Sequence, residues 1–303
     1  MMAVLGLLLA AIAALCNAFS SVLQRKANRE EPADEPFGVG LVLHLLHSRV
    51  WLLGALAMIA SFLLQASALS IATLSAVEPV LVVELPLTLI IGSRLLHHPL
   101  HNRDWISAAA MAAGLALFVA VIAPSGGDAA SARLTPAVLA TIATVAAIAA
   151  TVLVGHYVLR RARAALFGAA AGSGFGLTAS MMKIAVAHLR RDGVVAMFHT
   201  WELYGMVVAG IASVVLVQAA LRAGTLVAAQ PGITLLDPLI SVLWGTVVLG
   251  EATRTGPILV LAGLGGLVIV VAVVLLTRSS ASAYAEEEPS PDASDAAARP
   301  ART

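Results

Sequence analysis

Charge is what this sequence has least of. Asp, Glu, Lys and Arg make up 12% of its 303 residues, about half of what a soluble domain carries. With 60% hydrophobic residues, the chain has too little polar surface to cover a globule in water, and lipid is the solvent it fits. No excess of either sign exists: the net charge is +1, which gives no electrostatic footprint for nucleic acid. A single cysteine, Cys16, excludes an internal disulfide. A positively charged segment before the apolar start at Met2 is also lacking. Cleavable signal peptides need one, so the first segment reads as a retained membrane helix.

Apolar runs are what the chain has in place of charge. About 20 mostly apolar residues span the hydrocarbon core as a helix. Nine stretches qualify, at 2–24, 50–72, 74–93, 104–123, 135–158, 165–187, 201–221, 224–250 and 256–277. They are rich in Ala, Gly, Leu and Val, and small residues let helix backbones approach closely in lipid. Ten-residue segments of alternating polarity, the mark of a membrane β-barrel, do not occur. The run from Phe37 to Leu46 is too short to span and reads as interfacial or dipping. Residues 278–303 are polar and proline-bearing, which predicts a disordered tail.

Orientation follows from Lys and Arg near the helix ends. Nine crossings put Arg25, Lys26, Arg29, Arg49, Arg94, Arg103, Arg160, Arg161, Arg163, Arg222 and Arg278 on one side, against Arg133, Arg190, Arg191 and Arg254 on the other. The expected placement is a multi-pass protein of the cell (inner) membrane, N-terminus outside and C-terminal tail cytoplasmic.

The sequence also repeats itself. Shifted by 152 residues, Ala68-Leu69, Thr73-Leu74, Ala76 and Pro79 meet Ala220-Leu221, Thr225-Leu226, Ala228 and Pro231. Pro86-Leu87 meets Pro238-Leu239 in the same register, Ser61 meets Ser213, and Gly114-Leu115 meets Gly266-Leu267. Two prolines matched at one separation are hard to obtain by chance in apolar sequence. Five crossings separate the 50–72 helix from its mate at 201–221. Five is odd, so the copies enter the membrane in opposite senses. The fold expected is an all-α membrane protein of nine transmembrane helices. Residues 1–123 form a first four-helix repeat, 135–158 a linker helix, and 165–277 a second, inverted repeat. Inverted repeats are a signature of secondary transporters, with the site at the midplane between them.

The pattern resembles the drug/metabolite transporter superfamily (EamA-like), and within it the NIPA-type magnesium transporters. Gln24-Arg25-Lys26 closing the first helix, Ala68-Leu69 through Thr73-Leu74 into Val77-x-Pro79, Leu134-Thr135-Pro136, Lys183 and Gln230-Pro231 carry the resemblance, which covers about residues 1–277. It implies a nine-spanning carrier in a 4+1+4 layout and a divalent cation, Mg²⁺ first, as substrate class. Two positions depart from the family pattern. Glu78 stands where relatives often carry Thr or Gln, and copy one has Gly92-Ser93-Arg94 where copy two has Gly250-Glu251.

Ionisable groups at mid-membrane cost at least ~2.5–3.5 kcal/mol on insertion scales, which marks them as functional candidates. Glu84 falls near the centre of the third stretch and Asp237 near the centre of the eighth, each just before a repeat-matched proline. These two are the expected principal groups and the candidate metal ligands. Glu78, its repeat mate Gln230, and Thr234 are secondary. Asn17, Ser21 and Gln65 either line the path or bond between helices. Lys183 either snorkels outward or meets substrate. Pro79 and Pro86 free the carbonyls of Ser75 and Val82, and Pro231 and Pro238 those of Val227 and Thr234. Freed carbonyls with carboxylates suit a hard cation. The same acids serve equally to exchange protons with an organic metabolite. The buried carboxyls of a non-transporting scaffold would only fix helix packing.

Weaker readings stand beside these. His97-His98-Pro99-Leu100-His101 lacks metal-ligand spacing. Gly172-x-Gly174-x-Gly176 sits in a spanning stretch with no preceding strand and reads as close helix packing, not a dinucleotide loop. Ala171-Gly172-Ser173-Gly174 with His188 or His199 as base gives a poor protease match, and the chain is read as no enzyme. No cofactor is expected. The expected partners are the lipid bilayer, a small-molecule or divalent cation substrate and optionally a second copy of the chain in a homodimer, with no nucleic acid.

Overall fold

The computed structural model describes residues 2–29, 48–95, 102–158, 162–223, 226–254 and 256–285. The 37–46 run, the His97–His101 loop and residues 286–303 of the expected 278–303 tail lie outside them, as do the side chains of Gln230 and Pro231, whereas residues 278–285, expected as tail, continue the last helix to Ala285.

The described chain is helical almost throughout: α1 (Met2–Arg29), α2 (Arg49–Ile71), α3 (Leu74–Leu81), α4 (Glu84–Leu95), α5 (Asn102–Ile122), α6 (Leu134–Leu153), α7 (Arg163–His199), α8 (Trp201–Ala223), α9 (Leu226–Val247) and α10 (Leu259–Ala285). A five-residue π-turn, Val154–Val158, extends α6. Among the described residues, seven spans are long and apolar enough to cross a membrane, α3 and α4 counting as one, and two shorter apolar helices, Gly232–Val247 and Leu259–Leu275, accompany them. Large apolar side chains cover the outside, for example Leu139 at 61% exposure and Ile211 at 62%. A surface of that kind is solvated by acyl chains and not by water. The chain is an all-α, membrane-embedded protein.

Three expected elements come out differently. The third stretch is not one helix, because Val82 and Val83 form a turn between α3 and α4. Pro86 has no N–H to give the Val82 carbonyl, and the chain tightens there. Leu85 N–H reaches Val82 O at 3.2 Å and Val83 N–H reaches Val80 O at 3.1 Å. The Val82 carbonyl is therefore taken by a neighbouring amide instead of standing free. The 165–187 stretch runs on to His199, broken only at Gly193, whose φ of 87° favours glycine. Among the described residues of the 224–250 stretch the helix runs over Leu226–Val247, and both of its prolines lie inside an unbroken helix.

Glycines set the packing around α7, the most buried of the spans. Gly168, Gly172 and Gly176 lie along one face at four-residue spacing. A Cβ at Gly172 would come 2.5 Å from Ile233 O, and one at Gly176 would come 2.6 Å from Asp237 O. Because Gly172 meets 233 and Gly176 meets 237, α7 and α9 run parallel. Gly174, on another face, abuts Ser213 of α8. In the first half, Ser61 of α2 donates to Ala13 O of α1 at 2.8 Å. α5 and α10 cross at Gly114 and Gly265, where a Cβ on Gly114 would come 2.9 Å from Gly265 O. Gly114 also meets Ile269 while Phe118 meets Gly265, so these two helices are antiparallel.

A two-residue antiparallel ladder closes one end of the bundle. β1 (Ser125–Gly126) follows α5 and β2 (Glu251–Ala252) follows α9, with Ser125 opposite Ala252 and Gly126 opposite Glu251. The turn into β2 needs the positive φ of Gly250, 67°.

Candidate functional site

Three carboxyl groups define the site. Glu78 is carried by α3, Glu84 opens α4, and Asp237 lies in the middle of α9. The break at Val82–Val83 places Glu84 in the first turn of a new helix, at the positive end of that helix's dipole. Glu78 is almost fully buried, at 3% exposure. Asp237 Oδ1 is buried without a hydrogen-bond partner. Glu78 and Glu84 lie on the helices on either side of the Val82–Val83 turn, and α3 packs against α9, which carries Asp237.

Amide side chains hold two of these acids. Asn17 Nδ2 of α1 donates to Glu84 Oε2 at 2.6 Å, and Ser21, one turn further along α1, is a second partner of Glu84. Gln65 Nε2 of α2 donates to Glu78 Oε1 at 3.1 Å. Asn17, Ser21 and Gln65, expected either to line a path or to bond between helices, thus stand beside Glu84 and Glu78. Thr234, one turn before Asp237, is buried at 7% exposure. Gln230 lies on the same helix, its side chain outside the described residues. Among the described residues, no three His, Cys, Asp or Glu stand close enough together to hold a metal ion.

Lys183, expected to snorkel outward or to meet substrate, stands at one end of the bundle. Its Nζ donates to Leu69 O at 2.8 Å and to Ala72 O, the carbonyls that end α2. A cation at the negative end of a helix is favourable, and those carbonyls have no partner within their own helix. Arg190 adds a bond to Ser70 O. Lys183, Arg190, Arg191, Asp128 and Ser70 border a cavity of about 360 Å³ at this end of the bundle.

Glu251 is the residue sequence reasoning passed over. It entered only as half of a Gly-Glu motif, yet it is buried at 4% exposure and caps α3 from outside. Its Oε1 accepts from Leu74 N–H at 2.6 Å. Its Oε2 accepts from Ser75 N–H at 3.0 Å and Ser75 Oγ–H at 2.6 Å. Thr73, at the N-cap position, makes no side-chain cap, so the first-turn donors of α3 rely on this remote carboxylate. A signal existed in the sequence, an acid flanked by glycine at the end of an apolar run, but nothing in it named the partner.

The protease reading finds no geometry. Ser173 Oγ donates to Ala169 O at 2.9 Å. His188 lies fifteen residues further along the same helix, about 22 Å away at 1.5 Å per residue, and faces Asp192.

Compared with known proteins, the chain is similar to an uncharacterized protein of Corynebacterium glutamicum, 27% identical over 279 residues that cover 91% of this chain and 96% of that protein. No family model matches, and no solved structure matches.

Proposed function

We propose that this protein is a membrane transporter of the drug/metabolite type that moves a small solute by alternating access between two inverted four-helix repeats. The cross-helix contacts support the arrangement. The repeat mates α5 and α10 pack antiparallel through Gly114 and Gly265, as copies of opposite sense must. Each first helix lies parallel to the third-type helix of its own half: Asn17 meets Glu84 and Val22 meets Gly92 in one half, while Gly172 meets Ile233 and Gly176 meets Asp237 in the other. With α6 as linker, the chain makes nine crossings.

The observation that carries the reading is that Glu78, Glu84 and Asp237 all stand on packed helices inside an apolar bundle, with Gln65 and Asn17 donating to Glu78 and Glu84 and Asp237 Oδ1 buried without a hydrogen-bond partner. Burying three acids costs stability, and such a set recovers that cost by binding cations. A divalent cation is the favoured substrate class, Mg²⁺ first. Mg²⁺ keeps several of its waters and needs only one or two direct carboxylates, a role that Glu84 and Asp237 fill. The test is flux of Mg²⁺ into proteoliposomes. Glu84→Gln and Asp237→Asn, shown to remain folded, should each abolish it.

A second reading has its own support. Glu78 and Glu84 are held by the neutral amides of Gln65 and Asn17, which suits acids that take up and release protons, with a small organic metabolite as cargo. Flux of such a metabolite driven by a pH gradient, without Mg²⁺ flux, selects it. Absence of any flux in folded protein would reduce the acids to packing elements of a membrane scaffold.

A further inference from the structure

At the end of the bundle that carries Ala72, Gly127 and Glu251, contacts join α3 to α9 and β2. α3 belongs to the first half and bears Glu78; α9 belongs to the second and bears Asp237. Asp237, Ser241 and Gly245 follow one another on α9 at four-residue steps, which keeps them on one face and puts Gly245 about 12 Å from Asp237. At Gly245 the two helices meet. A Cβ there would run into Ser75 Oγ and would come 3.0 Å from Glu251 Cδ. Ser241, one turn inward, is fully buried, and its Oγ has no hydrogen-bond partner.

We infer that Glu251 is a latch: its carboxylate joins β2 to the first turn of α3 and holds this end of the path closed over Ser241 and Asp237. Three bonds form the latch, to Leu74 N–H, Ser75 N–H and Ser75 Oγ–H. All three bridge residues about 176 positions apart, so parting α3 from α9 breaks them together. The backbone is built to receive the carboxylate: a Cβ at Gly127 would come 2.8 Å from Glu251 Cγ. Lys183 secures the other side of the joint by capping α2 at Leu69 and Ala72, so both helix ends at the Ala72–Thr73 break are satisfied by charges from the second half. A cap serving only α3 would come from Thr73 or another residue of the same half. Here it comes from the helix hairpin that must move.

The latch deepens the transport reading and rests on it for its purpose, but its test uses no solute. In a Cys16→Ser background, Ser241→Cys supplies one buried thiol beneath the latch. A small, charged methanethiosulfonate reagent reads its exposure in purified protein. With Glu251 in place, labelling should be slow. Glu251→Gln keeps the shape and removes the charge, and it should speed labelling about tenfold or more, since hydrogen bonds to a charged group contribute roughly 1.5–3 kcal/mol. An unchanged rate in Glu251→Gln protein that still unfolds sharply would overturn the latch. If that variant does not fold, Ser75→Ala decides, since it removes one of the three bonds without adding volume. It should speed modification of the thiol that Ser241→Cys introduces several-fold. An unchanged rate in folded Ser75→Ala protein overturns the proposal. Loss of Mg²⁺ or metabolite flux with normal latch behaviour would count against the transport reading alone.

Discussion

Asn17 on α1 and Glu84 on α4, 67 residues apart, meet through a 2.6 Å hydrogen bond from the amide Nδ2 to the carboxyl Oε2. The bond is part-buried and joins two helices. It also fixes which carboxyl oxygen remains for another partner. Removing the amide should therefore act on both stability and function. Asn17→Leu, close in volume, leaves Ser21 as the remaining named partner of Glu84. It should lower stability by about 1–3 kcal/mol, read as thermal unfolding in detergent. Asn17→Asp sets a second acid beside Glu84 and should cost more than Asn17→Leu.

Lys183 ends α2 by bonding Leu69 and Ala72 carbonyls, so its loss should be felt at the Ala72–Thr73 break. Lys183→Met keeps the length of the stem and removes the donor. Two carbonyls lose their partner, at about 1–3 kcal/mol. Hydrogen exchange should show the C-terminal turn of α2 losing protection before the rest of that helix. Uniform loss across all helices would contradict the capping role.

The glycines of α7 and those of α10 give a paired test. Gly176→Ala drives a methyl to within 2.6 Å of Asp237 O, which backbone cannot easily relieve. Destabilisation of roughly 1–3 kcal/mol is expected. Gly266→Ala meets nothing within 4 Å and should be neutral or stabilising by up to about 1 kcal/mol, since alanine is the better helix former. Thermal midpoints of the two variants should move in opposite directions or differ clearly in size.

Trp244 of α9 donates its indole N–H to Thr144 Oγ of α6 at 3.1 Å, in the core. This bond ties α6 to α9. Thr144→Val keeps the shape and orphans the indole donor, with an expected cost of about 1–3 kcal/mol. Trp244→Phe in the Thr144→Val background should recover part of that loss, because the unpaired N–H goes with it. A double-mutant cycle without coupling would show that the bond contributes nothing.

Much of the site was legible before any fold. Glu78, Glu84 and Asp237 stood out because ionisable groups are rare in apolar runs and expensive there. Asn17, Ser21 and Gln65 were visible as polar residues in helices otherwise made of Ala and Leu. What they bonded to was not visible, since periodicity fixes the face of a helix and not its neighbour. The break before Glu84 was hinted at by Pro86 but not located. A proline says which bond is lost, while the neighbouring amides decide whether the chain kinks, as at Val82, or carries on, as at Pro238.

The sequence by itself determined the solvent, the helical class and the acids placed where lipid would otherwise be, because these follow from composition and run length, properties that any stretch carries alone. The tertiary structure decided the rest: which amide meets which acid, that Lys183 serves a helix end and not the acids, and that Glu251 caps a helix that begins 177 residues earlier in the chain. Those bonds depend on distances between helices, set by glycine contacts such as Gly176 against Asp237, and pairwise distance is information that no single segment holds.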